Sequence, residues 1–169
     1  MTTFVSAARY ITGIFSGLLP ATRISFVRQW LLKVSGIQLG EGAVVTGAFK
    51  VYGRGKVVIG DHTWVSAGAQ IFTVSGCKVV IGCNCDIGPN VTFLAGSHEI
   101  GPAERRAGQG YGDDIQIGDG CWIGGASVIL AGAVIGSSSV VAAGSVVRSC
   151  FESNKLLAGV PAVVKKRLT

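Results

Sequence analysis

A chain of 169 residues has single-domain length, and 49% hydrophobic residues with 26 glycines and only 4 prolines exclude a disordered or collagen-like polymer. The formal net charge of +6 raises nucleic acid as a partner. Its basic residues are dispersed, however, except at Arg105-Arg106 and Lys165-Lys166-Arg167, and no aromatic stacking motif accompanies them, which excludes that class.

Residues 1–36 differ in material from the rest of the chain. Phe4 to Leu19 is apolar, but Arg9 interrupts it and Pro20 ends it, so it is too short for a membrane span. It also lacks the basic leader and small-residue cleavage site of a signal peptide. From Arg23 to Val34 the apolar Ile24, Val27, Leu31 and Val34 fall at helical spacing, with Arg23, Arg28, Gln29 and Lys33 on another side. Two readings stay open for this helical segment. It caps the domain C-terminal to it or packs on a neighbouring subunit, or it attaches peripherally to the inner face of a membrane with help from Arg9, Arg23, Arg28 and Lys33.

Residues 37–159 are dominated by a six-residue beat. Ile117, Ile123, Ile129, Ile135, Val141 and Val147 keep it without error, and glycine follows the aliphatic in Ile117-Gly118, Ile123-Gly124 and Ile135-Gly136. Upstream, Ile81, Ile87 and Phe93 keep the step, as do Ile59, Val65, Ile71 and Cys77, and a more degenerate series runs through Leu39, Val45, Val51 and Val57. The phase slips after Val57 and after Cys77, where extra corner residues would be absorbed. A period of six is neither helix nor ordinary strand. It predicts an all-β solenoid, a parallel prism of about five coils, with aliphatics pointing inward and small residues permitting the bends. The one long interruption, 99–115, is rich in Gly, Arg and Asp and predicts an extended loop thrown out of the prism. Residues 160–169 form a basic C-terminal tail.

The chemistry-bearing residues are few. Cys77, Cys83, Cys85, Cys121 and Cys150 are odd in number with no C-x-x-C pair, so they read as small apolar fillers and not as disulfides or zinc ligands. There are two histidines, too few for the three-His zinc site that some solenoids hold. His62 falls at a turn inside a hexad, the place of an exposed corner residue. His98 lies in Ala95-Gly96-Ser97-His98-Glu99, where regular coiling stops.

Several motifs occur in a fixed order: Ile81-Gly82, Pro89-Asn90-Val91, Gly96-Ser97-His98, and Ile117-Gly118-Asp119-Gly120-Cys121-Trp122-Ile123-Gly124-Gly125. Gly132-Ala133-Val134-Ile135-Gly136, Ala143-Gly144-Ser145-Val146-Val147 and Ala158-Gly159-Val160-Pro161-Ala162 complete the series. This set resembles the hexapeptide-repeat acyltransferases, within them the maltose and galactoside O-acetyltransferase branch, and covers about half the chain. Leu18 to Arg23 and Trp30-Leu31-Leu32 look more like the related enzymes of bacterial polysaccharide biosynthesis.

The resemblance implies a left-handed parallel β-helix, an exception to right-handed crossovers. It also implies a homotrimer and acetyl-CoA as co-substrate between neighbouring prisms, with no metal required. His98 then corresponds to the family's catalytic base, and Gly125 offers the backbone N–H for the oxyanion. Trp122 walls the cleft, or else serves the core, and Ala143 and Ser145 fall where the pantetheine arm runs. Lys165, Lys166 and Arg167 meet the CoA phosphates or form a solvated tail, and Glu99, Arg105 and Arg106 face the acceptor or orient His98. Two departures stand out: Ser66, Gly68 and Gln70 occupy the region of an acceptor-binding Asn, and Val163 replaces a common Arg.

The expected function is acetyl-CoA-dependent O-acetylation of a saccharide hydroxyl in bacterial surface polysaccharide biosynthesis, by a cytoplasmic enzyme peripheral at most to the inner membrane face. The alternatives are an N-acetyltransferase of an amino sugar, free or nucleotide-linked, and a non-catalytic trimeric scaffold.

Overall fold

A computed structural model of the protein describes residues 2–20 and 25–169 and turns the predicted beat into a three-faced prism carrying two helices. These are α1 (Thr2–Leu18) and α2 (Ser25–Val34). The first coil is β1 (Gln38–Leu39), β2 (Val44–Val45) and β3 (Lys50–Tyr52), one strand to each face. The first face continues in parallel through Lys56–Ile59, Lys78–Ile81, Ile115–Ile117, Val134–Ile135 and Cys150–Phe151. The second runs through Trp64–Val65, Asp86–Ile87, Trp122–Ile123, Val140–Val141 and Lys155–Gly159, and the third through Gln70–Phe72, Thr92–Leu94, Val128–Leu130 and Val146–Val147. The third face has five strands, so five coils are complete.

The beat maps onto ladders of inward side chains. Val45, Val65, Ile87, Ile123, Val141 and Leu157 are register partners on the second face, and Val51, Ile71, Phe93, Ile129 and Val147 on the third; all are buried. Each such side chain contributes about 1.5–3 kcal/mol by leaving water. The phase slips are taken up on the first face, where Lys56–Ile59 and Lys78–Ile81 each turn two residues inward, Val57 with Ile59 and Val79 with Ile81.

Glycine in the repeated Ile-Gly pair does not make the bend, contrary to the expectation from sequence. A Cβ on Gly118 would stand 2.5 Å from the Ser137 nitrogen, and one on Gly124 2.5 Å from the Ala143 nitrogen, so these glycines let successive coils close. The bend falls two residues later on left-handed residues. At the first corner these are Gly42, His62, Asn84, Gly120, Ser138 and Asn154, each with φ between 54° and 66°. From the second coil onward their N–H groups donate to the coil before, for example Asn84 to the Asp61 carbonyl at 2.8 Å. His62 is one of these exposed corner residues; histidine tolerates this region better than most side chains.

Cysteines occupy a similar column. Thr63 Oγ1 donates to the Gly82 carbonyl, Cys85 Sγ to the Gly118 carbonyl (3.1 Å) and Cys121 Sγ to the Gly136 carbonyl (3.3 Å), each tying one coil to the next. The Cys121 contact and burial push the Cys85 thiol up, which suits a structural and unreactive group.

The helices cover the first coil, α1 against β3 and α2 against β1 and β2. They bury Leu32 of α2 in the core and, beside it, an unusual set of polar groups. Arg28 donates to Ser16 Oγ (3.0 Å) and to the carbonyls of Ser16, Leu19, Pro20 and Val45, while Arg9 reaches the Gly53 carbonyl at 2.8 Å and the Ser35 carbonyl at 3.4 Å. Burial lowers the pKa of both guanidinium groups.

Two segments are more ordered than expected. The loop 99–115 is largely a β-hairpin, Gly96–Ile100 paired antiparallel with Ala107–Gly112. The basic tail is also a strand: Ala162–Arg167 folds back antiparallel on Lys155–Gly159 after a cis Val160–Pro161 peptide and extends the second face.

Candidate active site

His98 stands on the first strand of the hairpin, opposite Gly110 and just before a bulge. The facing strand is glycine-rich for a steric reason. A Cβ on Gly112 would drive into Cys77 Sγ at 2.6 Å and one on Gly108 would press on the Glu99 carbonyl at 3.0 Å, whereas one on Gly110 would meet the His98 ring at an ordinary contact distance of 3.6 Å. His98 Nδ1 lies 3.0 Å from the Gly108 carbonyl oxygen. A carbonyl can only accept, so this bond places the proton on Nδ1 and leaves the lone pair on Nε2. The orienting partner is therefore Gly108 and not Glu99, which is exposed.

The imidazole opens into a depression of about 450 Å³ whose walls include Val74, Ser75, Ser97 and Tyr111. A second one, about 360 Å³, flanks the hairpin and brings Tyr111 and Arg148 together with Leu94 and Leu130. Neither Tyr111 nor Arg148 carried a sequence signal, since each is a lone residue in a run of small or aliphatic ones. Arg106 binds the Gly101 carbonyl at 3.3 Å and closes the hairpin turn, so its guanidinium has a structural task that the acceptor-facing expectation missed. Arg105 donates its N–H to Pro102 in the same turn, and its side chain is exposed.

The other predicted site residues gather on the second face. Trp122 is 59% exposed, and it belongs to an outward column in which Trp64, Asp86, Trp122, Val140, Leu156 and Lys166 are successive register partners. Trp64, Ser66, Asp86, Pro89 and Trp122 line a depression of about 400 Å³ there. Asp86 and Trp64 were not anticipated, because their meeting depends on a coil length that the sequence does not display. Gly125 occupies the corner after Trp122-Ile123. Its carbonyl accepts from the Gly144 N–H at 3.0 Å, while among the described residues its own N–H has no acceptor. Ala143 is exposed at the same corner one coil on, and Lys165, Lys166 and Arg167 are exposed along the last strand.

Ser145 corrects the sequence reading. It is 1% exposed and its Oγ accepts from the Gly159 N–H at 3.2 Å, so its hydroxyl holds the fold together and does not face a ligand.

His98 follows a third-face strand, whereas Gly125 sits between the second and third faces, and the His98 depression contains neither Gly125 nor Trp122. One chain thus places His98 at one corner of the prism, and Gly125 with Trp122 at another. Among the described residues, no three His, Cys, Asp or Glu side chains are grouped to hold a metal.

The family model for "Bacterial transferase hexapeptide (six repeats)" matches residues 114–149. The chain is 34% identical over 142 residues to galactoside O-acetyltransferase of Escherichia coli, an alignment covering 83% of this chain and 68% of that protein. The chain belongs to the hexapeptide-repeat acetyltransferases. Its fold is their left-handed parallel β-helix. A hexapeptide-repeat acetyltransferase of Vibrio cholerae, crystallised with acetyl-coenzyme A, superposes with a TM-score of 0.86 at 27% identity over 99% of this chain and 88% of the other. A galactoside acetyltransferase in complex with coenzyme A gives 0.85 at 29% identity over 99% and 82%. Relatives in Dictyostelium discoideum (44% identical over 113 residues) and Saccharomyces cerevisiae (40% over 114) align with 67% and 68% of this chain. The chain spans only 58% and 57% of their length.

Proposed function

We propose that this hexapeptide-repeat protein transfers acetyl from acetyl-CoA to a saccharide hydroxyl in bacterial surface polysaccharide biosynthesis, with His98 as general base. The observation that carries the reading is the Nδ1 contact to Gly108, which leaves the lone pair on Nε2 of an imidazole that lines an open depression. A sugar hydroxyl is a poor nucleophile, so Nε2 takes its proton as the oxygen attacks the thioester carbonyl. The carbonyl oxygen becomes an oxyanion, which the Gly125 N–H stabilises as a fixed donor. Collapse breaks the carbon–sulfur bond, and the imidazolium returns the proton to the departing CoA thiolate. Product ester and free CoA leave together with a neutral His98.

Because the two half-sites lie on different corners, the reading requires a second copy of the chain, and a homotrimer joins the His98 hairpin of one protomer to the Gly125 corner of the next. The second face fits the cofactor. From Trp122 to Lys166 is three strand steps of ~4.8 Å, comparable with an extended pantetheine arm, and Lys165, Lys166 and Arg167 supply cations for its phosphates. The Trp64–Asp86–Trp122 column offers apolar faces to a pyranose ring and a carboxylate to its hydroxyls.

The test is CoA release from acetyl-CoA against a panel of sugars, amino sugars and nucleotide sugars. Saturation by hydroxyl acceptors is expected, and saturation by amino acceptors alone overturns the O-acetyl assignment. Co-expressing His98→Ala with Gly125→Pro should restore part of the activity that each variant lacks alone; no restoration would place the site within one chain.

A further inference from the structure

The outer face of the helical cap is inverted relative to a water-facing helix pair. Along α1, Arg9, Thr12 and Ser16 turn inward, and α2 buries Arg28 completely, while Tyr10, Phe15 and Leu18 turn outward, Leu18 at 76% exposure. On α2 the outward stripe is Phe26, Trp30 and Val34, spaced four apart on one side of the helix and each more than half exposed. Water-facing helices put the apolar stripe inside. Here Arg28–Ser16 and Arg9–Gly53 contacts lie on the inward side beside Leu32, and among the described residues Leu18, Phe26 and Trp30 stay more than 60% exposed.

Charge says what covers it. Residues 1–40 carry no Asp or Glu, and while Arg9 and Arg28 are buried, Lys33 is exposed. Exposed cations border the apolar face: Lys33 on α2, Lys50 on the wall of a groove of about 410 Å³ that runs along Tyr10, Ile14 and Leu18, and Arg54, which contacts Ser6 of α1. Tyr10 and Trp30 are of the type that settles at the boundary between hydrocarbon and water. None of the described helices is long and apolar enough to cross a membrane, so the pair fits a helix lying in the interfacial plane. The cap sits on the first coil, whereas the His98 hairpin leaves the third and Gly125 belongs to the fourth, so docking there keeps both half-sites clear.

We propose that the outer face of α1 and α2 docks the protein on an anionic lipid surface. The apolar side chains enter the boundary layer and Lys33, Lys50 and Arg54 meet the headgroups. This assignment stands on the cap alone and is independent of the acetyl-transfer reading.

The full-length protein is sedimented with vesicles of phosphatidylglycerol and phosphatidylcholine, and with phosphatidylcholine alone. Binding to the anionic vesicles is expected, weakening as salt is raised. Phe15→Ser/Leu18→Ser/Trp30→Ser should abolish it with the circular dichroism spectrum and oligomer mass unchanged. Should that triple variant fail to fold, Lys33→Glu/Lys50→Glu, both at exposed positions, is expected to weaken binding about tenfold or more. Absence of binding to anionic vesicles overturns the proposal. So does a fall in oligomer mass on the Leu18→Ser change, which would make this face a contact between copies of the chain.

Discussion

The prism and its cap differ in what their inward positions hold. In the prism every inward position on the ladders is aliphatic or aromatic, from Val45 to Leu157, and the exposed residues are mixed. In the cap Leu32 shares the inward side with Arg9, Thr12, Ser16 and Arg28, while Phe15, Phe26 and Trp30 are outside. A solenoid must close its own core coil on coil, because each repeat buries its face only on its neighbours. A cap needs only to satisfy one end, and hydrogen bonds to carbonyls do that while freeing its apolar side for something else.

The contrast can be broken deliberately. Ile123→Ala removes a fully buried side chain from the centre of the second-face ladder and should cost about 2–5 kcal/mol in urea unfolding; a loss below 1 kcal/mol would mean that the ladder is not the core. Arg28→Ala leaves the carbonyls of Leu19, Pro20 and Val45 without their donor, at about 1–3 kcal/mol. Its signature should be local: faster proteolysis within residues 1–36 while amide exchange in the prism stays slow. Asp119→Ala removes the Oδ1 acceptor of the Cys83 N–H (2.7 Å) between two coils and should cost about 1 kcal/mol in thermal unfolding. Leu18→Ser on the outer cap face should change stability by about 0.5 kcal/mol or less, since the side chain is already in water. A large loss there would bring the cap under the prism's rule.

The same division explains what the sequence made legible. The prism was readable because its period is enforced at every coil, so Ile117 to Val147 announce their ladders without help from distant residues. Two of its details were hidden. The Ile-Gly glycine looked like a bend residue, yet it answers to the coil stacked on it, and the bend belongs to corner residues as different as His62, Asn84 and Ser138. Ser145 looked ligand-facing by resemblance and is inside, because the outward position at that corner is Ala143. His98 was findable as the residue at which the beat stops. Its orientation was not, since the Gly108 carbonyl reaches it only through hairpin pairing that no local pattern encodes. Trp64, Asp86 and Trp122 are separated by 22 and 36 residues and share a column only because the hairpin is looped out between the last two. In the cap, helical spacing was visible but its sense was not. The sequence left open which side faces the prism, and the structure shows Arg9 and Arg28 bonded inward while Trp30 and Val34 are exposed.

The most direct test of the account is the steady-state rate of acetyl-CoA-dependent transfer by His98→Ala at saturating co-substrate. The proposed role of His98 predicts a fall in kcat of about 10²–10⁴ with KM for acetyl-CoA little changed, because a general base moves protons in the reacting step and does not hold acetyl-CoA in the ground state. Wild-type kcat in this variant would contradict it.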